Sequence, residues 1–445
     1  MSKKRIKKIQ DYDRAYSTLF HYVHFSVKHS YRNILKVGEE NIPKDGAIIF
    51  APNHTNTLMD ALVILTYNYQ PKVFVARADI FRNRKLAQIL TFLKIMPIMR
   101  QRDGISAVKK NQETIDKAVD VLKDRIPFCI FPEGTHQAKY SSLPLSKGIF
   151  RIAFQAHELM PDVPLYIVPV GIKYGDFFRF RSTIRMEFGK PINVGGFIAE
   201  NVHMTPQEQA NHMKDLLTER LHSTIFHIPN DEDYTATYEV CNAVEPFVME
   251  ELLKGKTHSG KSSLEVQHEA NKLSLERIAA LKASAPEKAK KLLELGKEAS
   301  KLRKKKGIDT ESASVKKPLL SRIVRILVTL ITLPYTLPVS VLASPVVLLC
   351  QFIFTKLKDP AFRNSVRFVM NLLVWPLFVL IYAIIACCLL PWTSALWTTL
   401  LIIPAPIVAH EVWKTMRLVV SDVKLLRSKK LMKIYSQIRE VISGK

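Results

Sequence analysis

The sequence predicts an α/β domain, a mostly parallel sheet flanked by helices, followed by C-terminal transmembrane helices. Three observations carry this. Over 41–257, short apolar runs alternate with helical patterns, the order expected when strands cross over through helices to parallel neighbours. Hydrophobic residues make up 47% of the chain and crowd into two runs without a charge, 326–355 and 368–409. The net charge is +25, an excess that needs an anionic partner. With such apolar runs in the same chain, a bilayer with anionic lipids is that partner rather than nucleic acid.

The segment 1–40 begins with a basic stretch and continues as YSTLFHYVHFSVKHSY. It reads as a basic, amphipathic N-terminal helix, lying on the membrane surface or packed on its own domain. Neither the apolar core nor the cleavage site of a signal peptide is there. In the second region, 41–257, AIIFAPN (47–53), KVFVARA (72–78), IMPIMR (95–100), PFCIFPEG (127–134) and LYIVPVGIKY (165–174) read as buried strands. Between them LMDALVILTYNY, SAVKKNQETIDKAVDVLKDR and GIFRIAFQAHEL read as helices. Thr205-Pro206-Gln207-Glu208 forms a capping box with proline at the first helical position, opening a further helix. Residues 258–318, rich in Lys, Glu, Ala and Ser, read as a charged helical linker.

The membrane region is 319–413. Each apolar run exceeds the roughly 20 residues that cross a bilayer. Basic residues flank both runs on every side, which places all flanks in the cytoplasm. The second run, about 368–409, then turns at LLPWTS as a helical hairpin. The first, about 326–355, must also return, and Pro334, Pro338 and Pro345 point to a re-entrant or bent hairpin. The runs hold no charged residue, which argues against a transported ion. A basic cytoplasmic tail, 414–445, closes the chain. The five cysteines have neither a disulfide framework nor metal-site spacing, so no metal is expected.

Two short blocks could do chemistry. Asn53-His54-Thr55-Asn56-Thr57-Leu58-Met59-Asp60 lies where a strand gives way to a helix. A histidine there suits a general base at neutral pH, and a carboxylate on its other ring nitrogen would fix its tautomer. Asp60 is the nearby carboxylate, although Thr57 through Asp60 also spells a capping box. Six residues along one helix would turn Asp60 about 600° from His54, so the two meet only if His54 sits in the preceding loop. Phe131-Pro132-Glu133-Gly134-Thr135-His136 ends another strand, where backbone N–H groups and a hydroxyl can face an anion. Lys147 opens the next helix, whose N-terminus favours phosphate.

The ordered set of blocks resembles the PlsC-like glycerolipid acyltransferases, the lysophosphatidic acid and glycerol-3-phosphate acyltransferase family. That family carries H-x4-D, a block ending in Arg, F-P-E-G-T, and V-P-V-x-I. Here these are His54 to Asp60, Ile95 to Arg100, Phe131 to Thr135, and Ile167 to Ile172, with Phe188 to Ile192 as a following F-G-x-P-I strand. The resemblance covers about 35–230. It implies an acyltransferase-type sheet and an O-acyltransferase of phospholipid biosynthesis, moving an acyl group from acyl-CoA or acyl carrier protein to 1-acylglycerol 3-phosphate. Glycerol 3-phosphate or dihydroxyacetone phosphate is the alternative acceptor. A catalytically silent membrane lipid-binding scaffold is the alternative of another class.

The resemblance makes His54 the base and Asp60 its support, with Arg100, Glu133, Gly134 and Thr135 holding the acceptor. The acyl donor is a substrate, so no cofactor is implied. The catalytic domain is expected on the cytoplasmic face of a bacterial inner membrane or the endoplasmic reticulum. Two departures stand out: the spacing is H-x5-D, and His136 stands where many members have Arg. With a poorer phosphate ligand there, more of the binding falls to Arg100, Arg102 or Lys147.

Overall fold

The computed structural model describes residues 8–99, 106–254, 261–313 and 319–443. The chain divides into two compact units, one made of residues 1–225 and 357–368, the other of 226–356 and 369–445.

The first unit is an eight-stranded sheet: β1 (Asn33–Val37), β2 (Ala47–Pro52), β3 (Val73–Arg77), β4 (Ile95–Ile98), β5 (Phe128–Cys129), β6 (Leu165–Tyr174), β7 (Thr183–Phe188) and β8 (Ile192–Asn193). Its order is β1-β7-β6-β2-β5-β3-β4, with β8 also on β6. Only the β6–β7 and β6–β8 pairs are antiparallel; the others are parallel, as the alternation of strands and helices requires. β2 is buried along its whole length. Its alternation sends Ala47, Ile49 and Ala51 into a core shared with helices α4 (Ser106–Lys123), α5 (Gly148–Leu159), α6 (Val194–Glu200) and α7 (Pro206–Thr224). Phe50 faces the other way, against Tyr67 and Phe188. No residue of α1 (Arg14–Ser30), capped by Asp13, or of α2 (Leu58–Leu65) belongs to that core; the two helices contact each other.

Helix α1 buries Tyr16, Phe20, Val23 and Val27 and leaves Phe25 exposed. The sheet begins at Asn33, inside the segment assigned above to that helix. The capping box at Thr205 forms in full. Helix α3 (Arg84–Phe92), absent from the sequence reading, has no buried residue. In the V-P-V-x-I block the variable position is Gly171, where a Cβ would stand 2.6 Å from the Thr224 carbonyl oxygen. The close passage of the chain leaving α7 therefore excludes any side chain there.

The second unit is helical. Residues expected as a linker form α9 (Ser263–Ser284) and α10 (Pro286–Lys305), which pack with α8 (Tyr234–Lys254) and the final helix, α17 (Lys429–Ser443). Glu239 of α8 is fully buried and ties these helices together: it accepts three guanidinium bonds from Arg303, at 2.8, 2.9 and 3.1 Å, and the Tyr435 hydroxyl at 2.7 Å. A short helix, α11 (Thr310–Ala313), follows.

The first apolar run corrects the sequence reading. It is one continuous helix, α12 (Leu319–Lys356), and not a re-entrant or bent hairpin. The prolines stand at i, i+4 and i+11, within about 40° of one helix face, so the missing N–H groups are confined to that face. The Val341 carbonyl, which loses its donor at Pro345, accepts the Ser344 hydroxyl at 2.7 Å instead. After α13 (Phe362–Val369) and a π turn come α14 (Trp375–Leu389) and α15 (Trp392–Ile402), which meet at Leu390–Pro391. α16 (Ala405–Leu426) lies at 49° to α15 and packs along α12. Among the described residues two helices, Ile323–Lys356 and Phe362–Leu389, are long and apolar enough to cross a membrane, and the bent pair α15–α16 is a third if it forms one span.

Candidate active site

β2 and β5 are parallel neighbours, with Phe50 opposite Cys129, so the loops that follow them emerge at the same edge of the sheet. This brings the two chemical blocks together. Asn53 leaves β2 but holds to β6 through its side chain: Oδ1 accepts the Ile172 N–H at 2.7 Å and Nδ2 donates to the Ile172 carbonyl at 3.1 Å. The amide thus prolongs the ladder by one residue and sets where His54 starts.

His54 lies in the loop, not in α2, and this is how H-x5-D closes. Its Nδ1 is 2.8 Å from Asp60 Oδ2. The same oxygen accepts the Thr55 N–H at 2.8 Å and the Asn56 N–H at 2.6 Å. Asp60 is fully buried in the first turn of α2. The capping box expected of Thr57 does not form, because the carboxylate folds back onto the loop and Thr57 makes no cap bond. Thr57 instead takes φ +48°, a conformation costly for a β-branched residue. An ionised carboxylate only accepts, so His54 Nδ1 carries the proton and Nε2 keeps its lone pair. Phe131 stacks on the imidazole at 4.3 Å between centroids.

The second block forms a turn around Gly134, whose φ of +65° is ordinary only for glycine. Glu133 is buried and points inward: Oε1 accepts the His54 N–H at 3.2 Å, and Oε2 the Leu143 N–H at 3.2 Å. The Gln137 N–H donates to the His54 carbonyl at 3.2 Å. Glu133 therefore shapes the histidine loop through the backbone, while Gly134 and Thr135 are exposed. Lys147 is exposed at the start of α5, next to Ser146, whose N–H donates to the Pro132 carbonyl at 2.7 Å. Arg100 and Arg102 lie outside the described residues.

Sequence reasoning noted His136 only as a departure from Arg, and it missed Asn56 and Tyr174 as contributors. His136 stands edge-on to His54 at 5.5 Å and holds Asp359 Oδ2 at 2.8 Å through Nε2. Asn56 is fully buried with neither side-chain atom hydrogen-bonded. Its place in the polar run from Asn53 to Thr57 was the available signal. Tyr174 is the other missed residue: burial and the neighbouring Asp60 charge hold its hydroxyl well above the ordinary range. Burial also pushes the Cys129 thiol up, which leaves no thiolate for nucleophilic attack.

Burial raises Glu133 from 4.5 to about 8, against the His54 and Leu143 N–H groups, which lower it. The folded protein then binds more protons than the unfolded chain between those values. This contribution to stability is complete below about 4.5 and is lost as pH rises through about 8. Glu133→Gln removes the titration at nearly constant shape. The melting-temperature advantage of wild type over the variant should shrink from pH 5 to 8.5; a gap constant across that range would refute the assignment.

A family model for acyltransferases matches residues 33–173, which takes in both blocks. Glycerol-3-phosphate O-acyltransferase 2 of Saccharomyces cerevisiae is 31% identical over 120 residues, 27% of this chain. The chain spans only 16% of that relative's length. The 1-acyl-sn-glycerol-3-phosphate acyltransferase of Bacillus subtilis is 25% identical over 197 residues, 43% of this chain and 88% of the relative. A solved structure, the 1-acyl-sn-glycerophosphate acyltransferase PlsC from Thermotoga maritima, is similar at 20% identity and a TM-score of 0.33, covering 47% of this chain and 83% of that one. The His–Asp loop and the F-P-E-G-T turn lie at one sheet edge and the acyltransferase family model spans both, so residues 33–173 match the acyltransferase family and are similar to glycerolipid acyltransferases.

Proposed function

We propose that the protein transfers a fatty acyl group from a thioester, acyl-CoA or acyl carrier protein, to a hydroxyl of a glycerol phosphate acceptor. One observation carries this reading: Asp60, held by two backbone N–H groups, fixes His54 with Nε2 as the free base. His54 takes the hydroxyl proton as the oxygen attacks the thioester carbonyl, and the carboxylate stabilises the imidazolium that forms. The tetrahedral intermediate collapses with release of the thiolate, which recovers the proton. A thiolate leaves readily, so no acyl-enzyme is required. Gly134 and Thr135 supply acceptor contacts, with Arg100, Arg102 and Lys147 as further cations for the phosphate. Anionic lipid at the cytoplasmic face holds the basic chain beside its product.

One acceptor that fits is 1-acylglycerol 3-phosphate, supported by the Bacillus relative, which aligns over most of its own length. Glycerol 3-phosphate is a second reading, favoured by the yeast relative and by the His136–Asp359 pair. Purified protein in lipid nanodiscs, given labelled acyl-CoA or acyl carrier protein with each acceptor and dihydroxyacetone phosphate, tests both. Turnover names the donor and the acceptor; none with any pair would leave a lipid-binding scaffold on this fold.

A further inference from the structure

The segment 357–368 lies far along the chain from the sheet, yet it counts with the first unit and its inner side chains are buried there. Ala361, Asn364, Ser365 and Phe368 are each no more than 5% exposed. Ser365 Oγ meets Thr57 Oγ1 at 2.7 Å, Asn364 Nδ2 donates to the Tyr31 hydroxyl at 3.4 Å, and Arg367 donates to the Phe178 carbonyl. Thr57 is the strained residue of the histidine loop, so the segment buttresses that loop directly.

Asp359 is the polar point of the segment. Oδ1 accepts the Ala361 N–H at 2.8 Å, which fixes the carboxylate, and Oδ2 receives His136. Phe362 meets the His136 ring in a T-shaped contact at 5.3 Å. His136 is thus set in one orientation beside His54. A carboxylate offers no proton, so Nε2 of His136 is the donor, and in the neutral form of the ring Nδ1 is a lone-pair acceptor. An arginine at this position would present donors only.

We propose that His136, oriented by Asp359, reads the acyl acceptor by taking a hydrogen bond from a second hydroxyl, next to the one that His54 deprotonates. The proposal rests on the acyl-transfer reading above and decides its acceptor. Glycerol 3-phosphate has such a second hydroxyl. Lysophosphatidic acid, with one free hydroxyl, and dihydroxyacetone phosphate, with a carbonyl in that place, do not. Asp359 is on this account a positioning residue and His136 a specificity-determining one.

The test uses the full chain in nanodiscs, with wild type, Asp359→Ala, Asp359→Glu and His136→Ala compared on the three acceptors. Wild type should prefer glycerol 3-phosphate. Asp359→Ala should lower its kcat/KM ratio over lysophosphatidic acid by about tenfold, the value of one hydrogen bond, carried by KM rather than kcat. Asp359→Glu should recover part of that ratio. A uniform loss on all three acceptors would make the pair structural only, and a wild type that prefers lysophosphatidic acid would overturn the proposal. A binding readout separates this from failure of the chemistry. In a His54→Ala background, glycerol 3-phosphate should raise the melting temperature, and adding Asp359→Ala should remove that rise. An undiminished rise would refute the role of the pair even if no variant turned over.

Discussion

His54→Ala should reduce acyl transfer by about 10²–10⁴-fold, the usual contribution of a positioned general base. The loss should appear in kcat, because the imidazole acts on a proton in flight and adds little to ground-state binding. Loop geometry should survive the change. The backbone of His54 is held from both sides, by Glu133 at its N–H and by Gln137 at its carbonyl, and neither contact uses the ring. The ring itself is only partly covered, with 18% of its side chain exposed, so its removal leaves no deep cavity. Melting temperature and membrane association should therefore stay near wild type while turnover falls. Activity within about threefold of wild type would remove His54 from the chemistry and revive the scaffold reading.

The residues differ in how legible they were, and the reasons are physical. β6 runs from Leu165 to Tyr174 in the structure as in the sequence reading, because a strand with neighbours on both sides and helices on both faces is an unbroken apolar run. β5 shrinks to Phe128–Cys129 because Pro127 and Pro132 flank it and bring no N–H to a ladder. β1 escaped notice since none of its residues is buried and no period-2 pattern marks it, and its pairing partner, β7, is remote in sequence. The prolines of α12 misled for a different reason: single prolines break helices, but three on one face only remove donors from that face. In the site, local pattern reached His54 and the Glu133 turn, both just past strand ends, and Asp60 in the helix turn that follows His54. It did not reach Asp359, which meets His136 across 223 positions of the sequence. No periodicity records such a contact, and a single aspartate before a proline has the look of any turn.

Asp60→Asn separates the charge of the carboxylate from its geometry. In a serine protease triad the equivalent change costs about 10⁴-fold, because the amide can turn and reverse the histidine tautomer. Asp60 is held differently. Its Oδ2 faces three donors at once, His54 Nδ1–H and the N–H groups of Thr55 and Asn56. An asparagine amide nitrogen placed there would point its own hydrogens at two fixed backbone donors, so the oxygen must occupy the site and the tautomer is kept. What is lost is the negative charge facing the imidazolium as it forms. The fall in kcat should then be about 10²-fold, well short of the triad value, with the protein still folded. Asp60→Ala, which leaves both backbone N–H groups unanswered in a buried loop, should cost activity at least as much and lower the melting temperature too. If Asp60→Asn matched the His54→Ala loss at its upper end, the tautomer would have reversed, and the two backbone amides would not be the clamp that their distances describe.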